Sequence, residues 1–510
     1  MREWIEKGMG SVRWEVCEQP TTGAHMDTRT LLPDVVQAVR EALAPKLARA
    51  RHCAGSLEGF LNDLDAVLQH STVEGARQAL EQVVTEELGA RPGESAKLLP
   101  YRVHTALGEV SFRLWNRAED GRTERGLDSM QLWHGCTLSV REQCAFLMAQ
   151  GTAQEARDSM LLFRSSVPSE STIKRVVATD GARMMQVWDA HVPELVDAAF
   201  GPVMSQVDMV STSADGAMVP LRGLAAVVND ELDGPDDTPE AVASRSYREA
   251  RIVTVTLYGK PDAAKERMVT LYDEQGKAHG ECVGFQRPRL GTLVFGEMPS
   301  IDGPKGKRAA TALGQILDAI RQARPDVPIK GTTDGGQWPE QTIDEAVGKG
   351  NRNADFYHAT EHLAVGSKAA YGDSDLATAW YKRWRNRLLT DDGAAQALSD
   401  ELLELAQTPG RPAAQRKKLE REAGYFRKRA NNMQYAELLR NDMVIGSGIV
   451  EAAVKRLITL RMKRTGATWT EDGGDAIIAL RSIRLSRLWD LAWQIHVRNE
   501  RASYASKTAA

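Results

Sequence analysis

The chain has 510 residues, of which 42% are apolar and 26% charged, with a formal net charge of −4 at pH 7. These proportions are ordinary for a globular protein of roughly two to four domains, and no run approaches the roughly 20 apolar residues of a membrane helix. The first residues lack the apolar core of a secretory signal, so we expect a cytoplasmic protein. The five cysteines form no Cys-x-x-Cys pair, which argues against a disulfide framework or a thiolate zinc site.

The N-terminal third is predicted to be mainly helical. Apolar positions between residues 29 and 90 recur at helical spacing, and an alternating segment at 101–115 predicts a β-hairpin that turns near Gly108. Three helices are predicted within 138–186, the third capped by Ser169 and bearing Lys174 and Arg175. Three closely spaced helices with a basic third member resemble a helix-turn-helix, although a small helical bundle fits the same pattern.

From about residue 201 the pattern changes to β-rich runs, followed by alternating helix and strand, which predicts a mixed α/β core. A helix is expected at 307–323, short strands at 328–336 and 353–358, and a polar helical segment at 365–440. Strong helices are predicted at 447–464 and 471–495. The predicted domains are a helical region (1–98), a hairpin and linker (99–137), a helix-turn-helix-like unit (138–200), the first part of the core (201–364), a helical insertion (365–440), the second part of the core (441–496) and a flexible tail (497–510).

Three acidic residues could carry chemistry. Asp215 and Asp334 each end a predicted strand and precede a glycine, where an α/β sheet usually places its site. Glu451 lies early in a helix, after a Gly-Ser-Gly segment in which Ser447 is a candidate cap. Carboxylates from distant parts of a chain can converge on hard divalent cations such as Mg²⁺. Taken alone, each Asp-Gly pair also fits a simple turn, and Glu451 fits a complement to the helix dipole.

Four segments together carry a family resemblance. They are SADGAMV around Asp215, TTDGGQWPE around Asp334, ADFYHATEHL at 354–363, and IGSGIVEAAVKRLITLRMKRTGATWT at 445–470. Through them the chain resembles the DDE transposases of bacterial insertion sequences, in the ISKra-type group related to Mutator-like elements. The resemblance extends over about residues 100–495 and leaves the first 95 residues unmatched.

The resemblance implies an RNase H-like fold in which Asp215, Asp334 and Glu451 are the catalytic, metal-binding triad for two Mg²⁺ or Mn²⁺ ions. It also implies that His358, in an Asp-x-x-His motif, lies near the active site, although a structural histidine at a strand end fits as well. The implied reaction cleaves the ends of a DNA element and joins the freed 3′-hydroxyl to target DNA. The implied partners are the terminal repeats, the target DNA and further copies of this chain at the nucleoid.

Basic residues in three segments are predicted to contact DNA phosphates, with the solvated face of a helix as the alternative. Aromatic neighbours in the first segment suit stacking on unpaired bases. The predicted contacts are Lys382, Arg383, Trp384, Arg385 and Arg387; Lys455, Arg456, Arg461, Lys463 and Arg464; and Lys174 and Arg175.

Other functions remain open from the sequence. His358-Ala-Thr-Glu361-His362 matches the H-x-x-E-H pattern of some zinc proteases, with both histidines on one face if the segment is helical. Phe356 and Tyr357 favour a strand just before it. A DNA-binding regulator, an inactive transposase relic and an RNase H-like nuclease without strand transfer are the further alternatives.

Overall fold

The computed structural model describes residues 97–105, 108–119, 122–124, 133–163, 166–221, 246–298 and 307–508. The chain divides into two compact units, Met1–Gly126 and Leu127–Ala510. The helices predicted between residues 29 and 90 lie outside the described residues. Among the helices that are described, none has the length and apolar character needed to cross a membrane.

In the first unit, strand β1 (Lys97–Thr105) pairs antiparallel with β2 (Gly108–Glu119), and β2 pairs with the short β3 (Arg122–Glu124). The hairpin predicted at 101–115 is therefore confirmed and is longer at both ends. Thr105 pairs with Gly108 next to the turn, as the position of the glycine predicted.

The second unit contains a mixed sheet. Its described strands are β4 (Met209–Leu221), β5 (Ser246–Tyr258), β6 (Asp262–Tyr272), β7 (Ala278–Gln286), β8 (Arg289–Glu297), β9 (Ile329–Thr333) and β10 (Arg352–Ala354). Five of them form a sheet in the order β10-β9-β4-β5-β8. Strands β10, β9 and β4 run parallel to one another, β5 runs antiparallel to β4, and β8 runs antiparallel to β5. The predicted mixed α/β class is confirmed.

Helices cover both faces of this sheet. They are α1 (Leu138–Met148), α2 (Ala153–Leu161), α3 (Glu170–Phe200), α4 (Lys307–Ala323), α5 (Gln337–Val347), α6 (Phe356–Tyr371), α7 (Asp375–Thr390), α8 (Ala394–Ala406), α9 (Ala413–Arg429), α10 (Tyr435–Arg440), α11 (Gly448–Val454), α12 (Leu460–Met462), α13 (Glu471–Leu485) and α14 (Trp489–Thr508). The helix predicted at 307–323 matches α4 at both ends. A π-helical turn, Lys455–Thr459, joins α11 to α12.

The two faces of β4 and β5 belong to different hydrophobic clusters. Val210 and Val253 pack with side chains of α3, α4 and α13 on one face. On the other face Val219 and Ile252 pack with Leu457 of the π turn and with the buried side of α11. Burial on both faces accounts for the near-continuous apolar character of these strands.

Helix α3 is longer than predicted. It begins after Ser169, whose Oγ accepts a hydrogen bond from the Thr172 amide at 3.2 Å, so the predicted cap is confirmed. The helical segment spans 31 residues to Phe200 and is kinked at His191, two residues before Pro193. Trp188 and Leu195 on its buried face join the same hydrophobic cluster as the sheet. Residues 138–200 therefore have no core of their own, because the apolar face of α3 is buried by the sheet layer.

The helical insertion begins earlier than predicted. Helices α6 to α10 enclose a second hydrophobic cluster that includes Phe356 and Trp384. The strand-like interpretation of Phe356 and Tyr357 is wrong, because Asp355 caps α6 and the helix begins at Phe356. Strands β6 and β7 pair only with each other within the described residues, and they pack against α7 and α10 instead of extending the central sheet.

The C-terminal region also differs from the prediction. The single helix predicted at 471–495 is two helices, α13 and α14, separated at Arg487, whose φ is 60°. The flexible tail predicted from residue 497 is wrong for the described residues, because α14 continues to Thr508. His496 and Glu500 are buried, and contacts with α1 and α3 hold this helix in place.

A buried ionic network makes these contacts. The Arg141 guanidinium donates to Asp180 Oδ2 at 3.1 Å and to both Glu500 oxygens at 3.0 Å. The imidazole of His496 lies 3.2 Å from Asp180 Oδ1. Burial alone would raise the pKa of Asp180, but the hydrogen bonds from His496 and Arg141 outweigh it and hold that pKa below its ordinary value. The network therefore depends on an ionised Asp180.

We expect Asp180→Asn to lower the free energy of unfolding by about 3–5 kcal/mol near pH 7, because it removes one of the two buried carboxylates, Asp180 and Glu500, that balance the charge of Arg141 and His496. Since the folded pKa lies below the ordinary 3.8, this stabilisation is present above that pH and is lost as the pH falls through the folded pKa. Urea unfolding at neutral and acidic pH measures the difference. Asp318→Asn, which breaks an exposed pair with Arg321, is the control. Equal effects of the two variants at neutral pH would contradict the prediction.

Candidate active site

Asp215 lies in the middle of β4, so the predicted position at the end of a strand is wrong, and it is on the face that packs against α11. Its register partner on β5 is Ile252, a buried residue of that face, and its Oδ1 accepts a hydrogen bond from the Gly216 amide at 2.7 Å. In the parallel pair of β4 with β9, Ser213 lies opposite Thr332. Extending this register by two residues places Asp334 beside Asp215 on the same face.

Asp334 follows β9 at a sharp turn. Its Oδ1 accepts from the Gly336 amide at 3.0 Å, and Gly335 has a φ of 106°, a conformation that favours glycine. Arg429 of α9 holds the turn from the other side: its Nη2 donates to the Gly335 carbonyl and its Nε to Glu340, both at 2.9 Å. The insertion therefore positions the loop that carries Asp334.

Glu451 lies in the first turn of α11. Val450 and Ala453 of this helix are buried on the sheet, whereas Glu451 is exposed on the flank. Ser447 makes no capping hydrogen bond to the helix backbone, contrary to the prediction. Its Oγ instead donates to Glu451 Oε1 at 3.0 Å, and this contact orients the carboxylate.

The three predicted acids interact electrostatically. The pKa of Asp215 is raised to about 6: burial raises it most, the Gly216 amide opposes the shift, and the charges of Asp334 and Glu451 add to the rise. Asp215, Asp334 and Glu451 come from three separated parts of the sequence. Their mutual repulsion is what a bound cation would relieve, so the donor set fits a hard divalent metal.

Glu249 is a fourth acid near Asp215 that the sequence analysis did not identify. It also raises the pKa of Asp215. Its register partner is Met218, however, so its side chain lies on the opposite face of the sheet, over Gly216. The sequence alone does not predict that Glu249 lies near Asp215, because the pairing register of β4 and β5 determines it. Because Glu249 lies on the opposite face of the sheet, it is not placed to bind the same metal ion as Asp215.

Asp355 joins the strand ends to the loop before Glu451. Its backbone amide donates to the Thr333 carbonyl at 2.8 Å. Its carboxylate, 1% exposed, accepts from the His358 amide at 2.7 Å through one oxygen and from the Ser447 amide through the other. The Phe356 amide donates to the Ile445 carbonyl at 2.9 Å and reinforces the junction.

These contacts give Asp355 a different role from that of the triad. Asp355 is the first residue of the Asp-x-x-His motif that the resemblance implies lies near the site, and backbone amides occupy both of its carboxylate oxygens. The close approach requires a glycine at position 446, because a Cβ there would lie 2.9 Å from the Tyr357 ring. Asp355 is therefore a positioning residue that ties Glu451 to the end of β9.

His358 and His362 lie one turn apart on α6, with ring centroids 5.0 Å apart. The Nδ1 atom of His362 lies 2.6 Å from Oε2 of buried Glu422, and its ring stacks on Tyr425 at 3.6 Å. His358 Nδ1 lies 3.3 Å from Glu361. The segment is helical, as the zinc-protease hypothesis required. One ring nitrogen of His362 is nevertheless used inside the chain.

The predicted DNA contacts on α7 are largely occupied by intramolecular partners. Trp384 is 1% exposed, so its predicted contact with a base is wrong: the ring is part of the second hydrophobic cluster. Lys382 Nζ donates to the Gly276 carbonyl at 2.7 Å, and Arg385 donates to the Thr270 carbonyl. These two side chains hold the β6–β7 hairpin. Arg383 and Arg387 form ion pairs with Glu401 and Asp391.

Basic residues near α11 divide into two groups. Arg461 is 4% exposed and donates to the Met148 carbonyl at 3.3 Å, so its predicted DNA contact is wrong and it caps α1 instead. Arg464 forms a two-point ion pair with Glu155. The remaining predicted contacts are exposed side chains without an ion pair to any described residue: Lys455, Arg456 and Lys463.

The basic residues at the start of α3 are both exposed. Lys174 lies 3.4 Å from Glu170, and Arg175 donates to Thr172 at 3.3 Å. Exposed contacts of this kind contribute little to stability and leave both side chains accessible. Their predicted contact with DNA stays a prediction.

Across the described ranges, no three His, Cys, Asp or Glu side chains are arranged as a ready-made metal site. The triad acids are within electrostatic range of one another without forming such a cage. No family model matches the chain, and a search of curated proteins found no similar sequence.

We expect Asp215→Asn to stabilise the metal-free protein. Because the folded pKa of about 6 lies above the ordinary 3.8, ionised Asp215 destabilises the fold above pH 6 and has no such effect below pH 3.8. The gain should be about 1–2 kcal/mol near neutral pH, after allowance for solvent screening, and should vanish in acid. Urea unfolding in a chelator measures it. Asp208→Asn, which removes the ion pair with Arg287 just before β4, should not stabilise. A gain that is independent of pH would contradict this explanation.

We expect Asp355→Asn to weaken divalent-metal binding by roughly 10–100-fold, because an amide can accept only one of the two backbone hydrogen bonds and Glu451 loses its alignment. Calorimetric titration with Mn²⁺ measures binding without any need for catalysis. Asp442→Asn removes a similar contact, a 2.6 Å bond from the Phe285 amide, at the β6–β7 hairpin. It should reduce stability and leave metal affinity unchanged. Unchanged metal affinity in Asp355→Asn would show that Asp355 only stabilises the fold.

Proposed function

We propose that this protein is a DDE-type DNA transposase with an RNase H-like core. The observation that carries the proposal is that Asp334 and Glu451 both lie within electrostatic range of Asp215, and each of the three acids is held by its own local hydrogen bond. A local turn or a helix dipole gives no reason for acids from positions 215, 334 and 451 to lie near one another.

The topology supports the RNase H-like part of the proposal. Two acids lie on adjacent parallel strands, β4 and β9, and the third lies on a helix packed across β4 and β5. The antiparallel strands β5 and β8 complete the sheet on the other side of β4. A helical insertion precedes the helix that bears Glu451, as the resemblance implies. The insertion also contacts the Asp334 turn through Arg429.

Asp215, Asp334 and Glu451 would hold the divalent ions. When bound, such ions activate the attacking oxygen and stabilise the leaving oxygen of a phosphodiester. Asp355 and Ser447 keep Glu451 in place, and the Gly335–Gly336 turn, which Arg429 holds, keeps Asp334 in place. Lys455 and Lys463, on the exposed side of the same helical segment, are available for the phosphates of that strand.

The reaction proposed for this site has two displacements at phosphorus. In the first, the oxygen of a water molecule attacks the phosphodiester at an element end, and the 3′ oxygen leaves and is protonated to a hydroxyl. In the second, that hydroxyl loses its proton and attacks a phosphodiester of the target, displacing another 3′ oxygen. Neither step needs an oxidant, a nucleotide or a covalent enzyme intermediate.

The zinc-protease alternative is less well supported by the site. His362 is already engaged by Glu422 and stacked on Tyr425, and Glu361 is exposed and paired with His358. This alternative also gives no role to Asp215, Asp334 or Glu451.

We expect the wild-type protein, with Mg²⁺ or Mn²⁺, to nick DNA that carries the genomic flanks of its reading frame. Asp215→Ala, Asp334→Ala and Glu451→Ala should each lower the cleavage rate by about 10²–10³-fold, because each removes a ligand worth several kcal/mol of charge stabilisation. Glu249→Gln is the matched control: it removes a nearby carboxylate from the opposite face and should retain cleavage.

The outcomes separate the alternatives. Triad variants that bind DNA but cut as fast as wild type would overturn the assignment of the site. DNA binding by the wild type without cleavage under any metal condition would favour the regulator or the inactive relic. Cleavage without joining to a target plasmid would favour a nuclease.

A further inference from the structure

A cleft of about 550 Å³ lies beside the helix that bears Glu451. The end of α3, strand β8, helix α11 and the junction between α13 and α14 line it. Glycines at positions 291 and 448 and alanines at 198 and 452 form part of its wall, so much of the wall carries only small side chains. The site proposed above does not use this cleft.

The described part of the cleft lining is positively charged. Among the described residues that line it, the charged ones are Arg289, Arg456 and Arg487, and none is an aspartate or a glutamate. All three arginines are exposed, and none forms an ion pair with a described residue. Arg487 has a φ of 60° at the helix junction, an uncommon backbone conformation for a non-glycine residue. Three unneutralised guanidinium groups around one cleft favour an anionic ligand.

The cleft and Glu451 lie on different flanks of the same helix. At about 100° per residue, Gly448, Ile449 and Ala452 share the side of α11 that faces the cleft. Val450 faces the sheet, and Glu451 lies roughly 120° from the cleft side, across the exposed surface of the helix. Lys455 lies on that exposed surface, between Glu451 and the cleft. Positive charge therefore continues from the acidic site over α11 into the cleft.

We propose that this arginine cleft binds backbone phosphates of the DNA next to the cleavage point. This inference rests on the proposed function, which supplies the cleavage point, and it adds the surface that holds the flanking DNA. Guanidinium groups bind phosphate oxygens through paired N–H donors. Phe200 is the one aromatic residue among the described lining residues and is 1% exposed, so none of these residues offers a ring that could stack on a base. The contact is with phosphates, and it is independent of sequence.

The experiment measures binding of the full-length protein to a labelled DNA duplex of about two helical turns, in a chelator, over a range of salt concentrations. Each phosphate contact contributes about 0.9 to the slope of log affinity against log salt. The double variant Arg289→Gln/Arg487→Gln should therefore lower the slope by about 2, equally for unrelated sequences. Both positions are exposed, so the fold should be retained, as circular dichroism would verify. Arg501→Gln removes an exposed charge on α14, roughly 18 Å along the helix from Trp489 at its start, and should leave the slope unchanged.

A second arm replaces chloride by inorganic phosphate at equal ionic strength in the absence of DNA. If the wild type binds free phosphate through these arginines while the DNA slope is the same in wild type and double variant, the proposal is overturned. An unchanged slope in the double variant overturns it even when the wild type cleaves DNA. A reduced slope in a protein that never cleaves supports the cleft and contradicts the proposed function, so the two can fail separately.

Discussion

Asp355 holds together the two parts of the chain that carry Asp334 and Glu451. It is buried and accepts hydrogen bonds from the amides of His358 and Ser447, while its own amide is bonded to the end of β9. A buried carboxylate is tolerated where backbone amides satisfy it, and removal of such a group leaves those amides unsatisfied. Because this one residue joins the end of β9 to the loop before Glu451, the distance between Asp334 and Glu451 depends on it.

The helical insertion is part of the site and not an appendage to the fold. Its helix α9 reaches the Asp334 turn through Arg429, and Tyr425 of the same helix stacks on His362. Burial raises the pKa of Tyr425, the charge of Arg429 opposes this shift, and the charges of Asp355 and Asp334 add to it. The basic and aromatic residues of α7 point instead to the β6–β7 hairpin and to the core of the insertion. The basic residues of α7 therefore make contacts within the chain that stabilise the insertion and the β6–β7 hairpin.

Two buried arginines connect the early helices to the helix that bears Glu451. Arg461 donates to the Met148 carbonyl, and Arg481 donates to the carbonyls of Ala149, Arg456 and Leu457. Their guanidinium groups satisfy the C-terminal carbonyls of α1 and the irregular π turn after α11. Burial, with the charge of the neighbouring Arg461, lowers the pKa of Arg481 to about 10. These contacts join the end of α1 to the segment that follows the helix carrying Glu451.

The sequence by itself determined the mixed α/β class, the helix at 307–323, the cap at Ser169 and the three candidate acids, because these depend on local periodicity and on residue chemistry. Only the tertiary structure decided that Glu249 and Asp215 lie on opposite faces, because strand register sets the face and no local pattern encodes it. It also decided that Trp384 and Arg461 are buried and that Asp355 bonds with Ser447, 92 residues away. A stretch of basic and aromatic residues looks the same in sequence whether it contacts DNA or packs inside the chain. Long-range packing alone distinguishes the two.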